Sequence, residues 1–276
     1  MKKALITGIN KSIDKIYSKK WLDNALKEDE FINKPYLEFT NYNSYSELNK
    51  LVKIVELVEL MQIKKGVKPI KINILEIGCG TGNICIPLAS KGYNVIGIDL
   101  NKNAITKANQ IKKSKKLNNV NFFVKNTSEY FCSDSIKKFD IIIASDILEH
   151  LQNPINICTS IFDNLEGGGF FIVTIPNGLG LSELLINNFS KNVRKILGEV
   201  VDDGYNHIQR FTINKINLLL TKSGFKQIKF ICNIDFITFF PFINRSILAR
   251  IDFKISKLIP TFLANRWIFL AIKTDD

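Results

Sequence analysis

Apolar positions along the chain follow two rhythms. Over residues 1–70 they recur at helical spacing, with Leu48, Leu51, Ile54, Val55, Val58 and Met61 on one face, which predicts a helical N-terminal cap. From 71 onward, short and wholly apolar runs alternate with helical ones. Strands are predicted at 71–77, 93–99, 120–124, 139–144, 169–175, 226–233 and 267–273, and helices at 83–91, 103–116, 154–165 and 212–223. Pro154 suits the first turn of its helix. Apolar strands separated by helices imply a mostly parallel sheet covered on both faces. The expected class is α/β, doubly wound and seven-stranded, with its ligand at the carboxyl ends of the strands. Residues 178–210 are less regular and read as a lid. Residues 235–266 read as a hydrophobic, basic, helical insertion before the last strand.

Composition narrows this picture modestly. The 276 residues are 46% hydrophobic and 23% charged, enough for one large domain or a domain plus a cap. No apolar run reaches the roughly 18 residues of a membrane-crossing helix. The basic start, MKKALITGINKSID, has an apolar run too short for a secretion signal. Five cysteines, at 79, 85, 132, 158 and 232, include no C-x-x-C pair, so neither a disulfide framework nor a zinc knuckle is expected, and a reducing cytoplasm is the simplest setting. The net charge of +12 suits an anionic partner or, more simply, lysine used for solubility.

Two stretches invite a nucleotide. The opening "ALITGIN" starts like a dehydrogenase fingerprint, but Lys11 and Asp14 stand where glycines should admit a pyrophosphate. The run "NILEIGCGTG" is different: Gly78, Gly80 and Gly82 form G-x-G-x-G. A dinucleotide fingerprint wants its third small residue where Asn83 stands, and no Gly-Lys-Ser/Thr follows as in a phosphate loop. Glu76, just ahead of the glycines, disfavours an anion and suits a cationic ligand such as S-adenosylmethionine, which carries no phosphate. Asp99 ends the second strand, 17 residues after Gly82, where a carboxylate can accept from both hydroxyls of a ribose. The alternative is that Asp99 caps the following helix.

With "LEIGCGTG", "VIGIDLN", "FDIIIASDILEHLQNP" and "GGGFFIVTIPNG" together, the chain resembles the class I S-adenosylmethionine-dependent methyltransferases over roughly 70–232. The later segments are most similar to the branch with ubiquinone-biosynthesis O-methyltransferases. The resemblance implies a Rossmann-like sheet and a methyltransferase domain over 71–276. It implies that Glu76, Gly78, Cys79, Gly80 and Gly82 flank the methionine end of the cofactor, that Asp99 holds its ribose and that Leu100 packs on adenine. Asn126, where the family more often has an acid, and Thr127 would meet the adenine edge, and Ser145 would lie beside the reactive methyl. Asn177, in Pro-Asn-Gly, would donate to the acceptor.

His150 and His207 are the only histidines and both are candidate bases. Asp146-x-x-Glu149-His150 resembles a set that binds a divalent cation in some related O-methyltransferases, so Mg²⁺ at Asp146, Glu149 and His150 is one expectation. The other is a helix start decorated with acids. Ser145-Asp146-Ile147-Leu148 differs from the stretches that nucleic-acid methylating enzymes carry there, so no nucleic-acid partner is expected. In 245–262 the apolar Ile247, Leu248, Ile251, Ile255, Leu258 and Ile259 share a helical face beside Arg250, Lys254 and Lys257. That face suits a membrane surface, an active-site lid or a homodimer contact. The expected function is methyl transfer from S-adenosylmethionine to a small-molecule or lipid-linked acceptor, first of all at oxygen, by a cytoplasmic protein with peripheral membrane contact as an option. The alternatives are an NAD-type oxidoreductase and a catalytically silent methyltransferase fold used for binding.

Overall fold

Helix α1, Tyr45–Lys65, is buried all round over 49–58, and Leu51, Ile54, Val58 and Met61 recur on it three and four residues apart. In the computed structural model, which describes residues 45–131, 138–178, 209–234, 260–261 and 264–274, this helix packs directly on the sheet. The remainder of the expected cap, most of the lid including His207, and most of the insertion lie outside the described residues.

The alternation that follows is β1 Asn73–Ile77, α2 Cys85–Ser90, β2 Asn94–Asp99, α3 Lys102–Ser114, β3 Val120–Val124, α4 Thr127–Phe131, β4 Phe139–Ser145, α5 Pro154–Asn164, β5 Leu165–Pro176, α6 Ile213–Lys222, β6 Gln227–Ile234 and β7 Arg266–Ile272. The seven strands form one sheet in the order β3-β2-β1-β4-β5-β7-β6. Strands β1 to β5 run parallel, and β7 lies antiparallel between β5 and β6. The doubly wound, mostly parallel expectation therefore holds. One face is covered by α1, α2 and α3, and the other by α5 and α6.

Local chemistry explains the element ends. Asn101 caps α3 by accepting from the N–H groups of Asn103 and Ala104. Thr212 caps α6 by accepting from Lys215, and Pro154 opens α5 as its fixed φ favours. Strand β5 begins four residues earlier than its apolar pattern, because Leu165 already pairs with Phe139 before a register shift. Among the described residues no helix is long and apolar enough to cross a membrane.

Two features place the functional edge. Parallel registers align Ile77 with Ile98, Asp99 with Val124, Ile77 with Ala144 and Ser145 with Thr174, so the ends of β1 to β5 share one edge. Antiparallel β7 brings its first residue, Arg266, to the same edge, opposite Pro176. At the other end of the sheet, buried Asp140 accepts from the Asn73 N–H at 2.7 Å and pairs with Lys65 from the last turn of α1. Removing this carboxylate takes the acceptor from the part-buried Asn73 N–H and the partner from Lys65. Asp140→Ala is expected to lower unfolding stability by about 3 kcal/mol in chemical denaturation, and a loss below about 1 kcal/mol would contradict the anchoring role.

Candidate functional site

The three glycines at the end of β1 differ in purpose. A side chain at Gly78 would collide with Ile147, and one at Gly82 would come within 2.8 Å of Phe122, so both serve internal packing. Gly80 alone faces open space: its φ is +52 and a Cβ there would meet nothing within 4 Å. Its N–H donates to Asp99 Oδ2 at 2.8 Å, and the Asn101 N–H donates to Asp99 Oδ1 at 2.8 Å. The Asp99 carboxylate is thus aimed at the glycine loop by two main-chain donors, with acceptor capacity left on each oxygen. The cap of α3 is Asn101 and not Asp99. Next to this pair, Leu100 is 70% exposed, a bare apolar surface beside a carboxylate.

The other residues expected around a cofactor divide. Cys79 is buried and donates its N–H to the Ile98 carbonyl at 3.0 Å, knitting the loop to β2. Glu76 turns inward beneath the loop, where its Oε2 accepts from the Cys85 N–H (3.1 Å) and thiol (2.8 Å) at the start of α2. Burial pushes its carboxyl up to about 8, so Glu76 supports the loop as a largely neutral acid near pH 7. It offers no exposed charge to a cationic ligand. Asn126 lies at the edge after β3, exposed, with its side-chain oxygen accepting from the Ser128 N–H at 2.9 Å; Thr127 opens α4 behind it. Ser145 ends β4 with its hydroxyl 3.0 Å from that of Thr174. Asn177 does not face the open side: it is 1% exposed, and its amide donates to the Ala264 carbonyl at 2.8 Å. It ties the end of β5 to the chain entering β7.

A group of charges that sequence reasoning missed meets at the same edge. Lys50 of α1 lies 2.6 Å from Glu47 and donates to Asp146 Oδ2 at 2.8 Å. Arg266 lies 2.5 Å from Glu47 and 3.4 Å from Asp146. The Thr174 hydroxyl donates to Asp146 Oδ1 at 3.0 Å. Burial opposes ionisation of both acids, but Arg266 and Lys50 hold the Glu47 and Asp146 carboxyls below their ordinary values. A signal for Lys50 existed: it sits on the same helical row as Ile54, Val58 and Met61, a cation inside a buried stripe.

The Mg²⁺ expectation does not fit these residues. The charge of Asp146 is already matched by Lys50 and Arg266, which a divalent cation would have to displace. Glu149 is 1% exposed, and burial, reinforced by Asp146, raises its carboxyl to about 8, so near pH 7 it is a poor metal ligand. His150 Nε2 lies 3.9 Å from Glu149 Oε1. Among the described residues no group of three His, Cys, Asp or Glu is arranged to hold a metal. His150 stays at the open edge, its side chain 39% exposed, in a turn that Gln209 braces by donating to the carbonyls of Glu149 and Leu151. His207 lies outside the described residues.

A family model described as a methyltransferase domain matches residues 70–209. The chain is 28% identical over 156 residues to a ubiquinone biosynthesis O-methyltransferase of Rickettsia canadensis, covering 56% of this chain and 62% of that protein. It is 32% identical over 126 residues to the enzyme of that name from Glaesserella parasuis, covering 45% and 53%. The chain thus spans less than two thirds of the length of these curated relatives. Among solved structures, the plantazolicin methyltransferase BpumL, in complex with a monoazolic desmethylPZN analog and SAH, superposes with a TM-score of 0.55 at 20% identity, covering 97% of this chain and 99% of that one. The magnesium protoporphyrin IX methyltransferase of Synechocystis PCC 6803, with bound SAH, gives 0.51 at 18% identity, covering 82% and 84%.

The raised carboxyls of Glu76 and Glu149 have a pH consequence. A folded-state pKa of about 8 against an ordinary 4.5 means that the folded protein holds protons the unfolded chain releases. Their stabilising contribution is complete at about pH 4 and is lost as pH rises through 8, by on the order of 1 kcal/mol per pH unit for each group. Melting temperature is expected to fall between pH 6 and 9, with the slope reduced in Glu76→Gln. A slope that Glu76→Gln leaves unchanged would contradict the assignment. Chelation with EDTA is expected to leave melting temperature and ligand binding unchanged.

Proposed function

The chain belongs to the methyltransferase-domain family, and from that premise we propose that it transfers a methyl group from S-adenosylmethionine to a small-molecule or lipid-linked acceptor, at oxygen. The observation that carries this reading is the juxtaposition of Gly80, open where a side chain would stand, with Asp99 fixed beside it and Leu100 exposed next to both. A ligand with a ribose, a flat apolar base and no phosphate suits this arrangement. Asp99 would accept from the ribose hydroxyls, Leu100 would pack on adenine, Asn126 and Thr127 would meet its edge, and the main chain at Gly78–Gly82 would flank the methionine end with Glu76 supporting it from below.

The methyl donor brings its own leaving group, so the protein has chiefly to align acceptor, methyl and sulfur, a contribution worth about 7–11 kcal/mol in well-oriented systems. Ser145 would border the reacting region from the end of β4. An acceptor hydroxyl also needs a base, worth about 10²–10⁴-fold; His150, half-exposed at the edge, is our candidate, with His207 as the second. The oxygen preference follows the similarity to ubiquinone biosynthesis O-methyltransferases.

Asp99→Ala removes the ribose acceptor and frees the Gly80 N–H. Two charge-assisted hydrogen bonds are worth about 1.5–3 kcal/mol each, so S-adenosylhomocysteine affinity by calorimetry is expected to fall by at least about 100-fold, with the melting temperature lowered only modestly. Unchanged affinity would refute the ribose role.

A further inference from the structure

Asp146 holds a left-handed backbone, φ +54, a conformation that Asp and Asn enter more readily than other non-glycine residues. Its carboxylate is engaged by Lys50 from α1, by Arg266 from the start of β7 and by the Thr174 hydroxyl of β5, while its N–H donates to the Thr174 carbonyl at 3.1 Å. The direction the chain takes at Asp146 sets where the next residue goes. Ile147 occupies the space that Gly78 leaves by lacking a side chain. Gly78 in turn leads to Gly80 and its bond to Asp99. Cations from two elements outside residues 70–209 are therefore connected, through Asp146 and Ile147, to the loop that would carry the methyl donor.

Resting on the methyl-donor reading above, we propose that Lys50 and Arg266 are positioning residues that act through Asp146 and Ile147 to set the glycine loop for the amino-acid end of the donor. The nucleoside end rests chiefly on Asp99 at the end of β2, which the Asn101 N–H also holds, and on Leu100 just after it. The device makes α1 part of the donor site although no residue of it need touch the ligand. The helix itself remains docked when one charge is removed, because Leu51, Ile54, Val55, Val58 and Met61 stay buried.

Two ligands separate this from a general structural role: S-adenosylhomocysteine, which has both ends, and adenosine, which has only one. Calorimetry on the full chain compares wild type, Asp146→Asn, Lys50→Met and the double variant. Asparagine tolerates the left-handed backbone and keeps an acceptor for Thr174, so Asp146→Asn removes charge with little strain, and melting temperatures report folding independently. Each single variant is expected to weaken S-adenosylhomocysteine about tenfold and leave adenosine within about twofold; the double variant should be no weaker than either single, since both break one latch. Equal weakening of both ligands, unchanged S-adenosylhomocysteine affinity, or single effects that simply add would each overturn the proposal. Wild type binding neither ligand would instead overturn the methyl-donor reading beneath it.

Discussion

The bond from the Gly80 N–H to the Asp99 carboxylate joins the end of β1 to the end of β2, and the candidate site depends on it. It works because the two strands are parallel and in register, Ile77 beside Ile98, so that both chains leave the sheet at one height. A parallel sheet buried on both faces leaves only its ends open to a ligand. The glycine loop then needs one residue without a side chain facing outward, and Gly80 is that residue. The neighbouring glycines serve the interior, one for Ile147 and one for Phe122.

Charge at this edge is handled by pairing and not by exposure. Glu47, Lys50, Asp146 and Arg266 form a compensated set drawn from α1, the end of β4 and the start of β7. Glu76 and Glu149 are instead buried with little compensation, and their raised carboxyls follow from that. The antiparallel insertion of β7 is what makes the pairing geometrically available, since a parallel last strand would carry Arg266 to the opposite end of the sheet. The matched domain thus holds the glycine loop and Asp146, while the cations that pair with Asp146 come from α1 and β7, which flank it.

Much of this was legible in the sequence. The apolar runs marked all seven strands, and Pro154 and Thr212 marked helix starts, because burial on both faces and capping are local in their demands. Asp99 was legible as a candidate ligand-binding acid by its place at a strand end, and its carboxylate does meet the glycine loop there. Less legible was whatever depended on distant partners. Lys50 and Asp146 are 96 residues apart, and Arg266 and Glu47 are 219 apart, so no local pattern announces either contact. The acceptor contact expected of Asn177 came from the resemblance of Pro-Asn-Gly to a substrate-side loop; its carbonyl partner, Ala264, lies 87 residues away. Glu76 looked like a charge offered to the ligand, but a thiol and an N–H on the next helix draw it inward. The acid-x-x-Glu-His set looked like a cation site until two cations were found beside Asp146.

On the proposed reading, the sheet edge at Gly80 and Asp99 takes a phosphate-free adenosyl ligand in place of a dinucleotide. Equilibrium dialysis of the full chain against labelled S-adenosylmethionine and, separately, labelled NAD tests it most directly. Saturable, one-to-one retention of S-adenosylmethionine with no retention of NAD at the same concentrations is the predicted result. Retention of NAD without S-adenosylmethionine would contradict it.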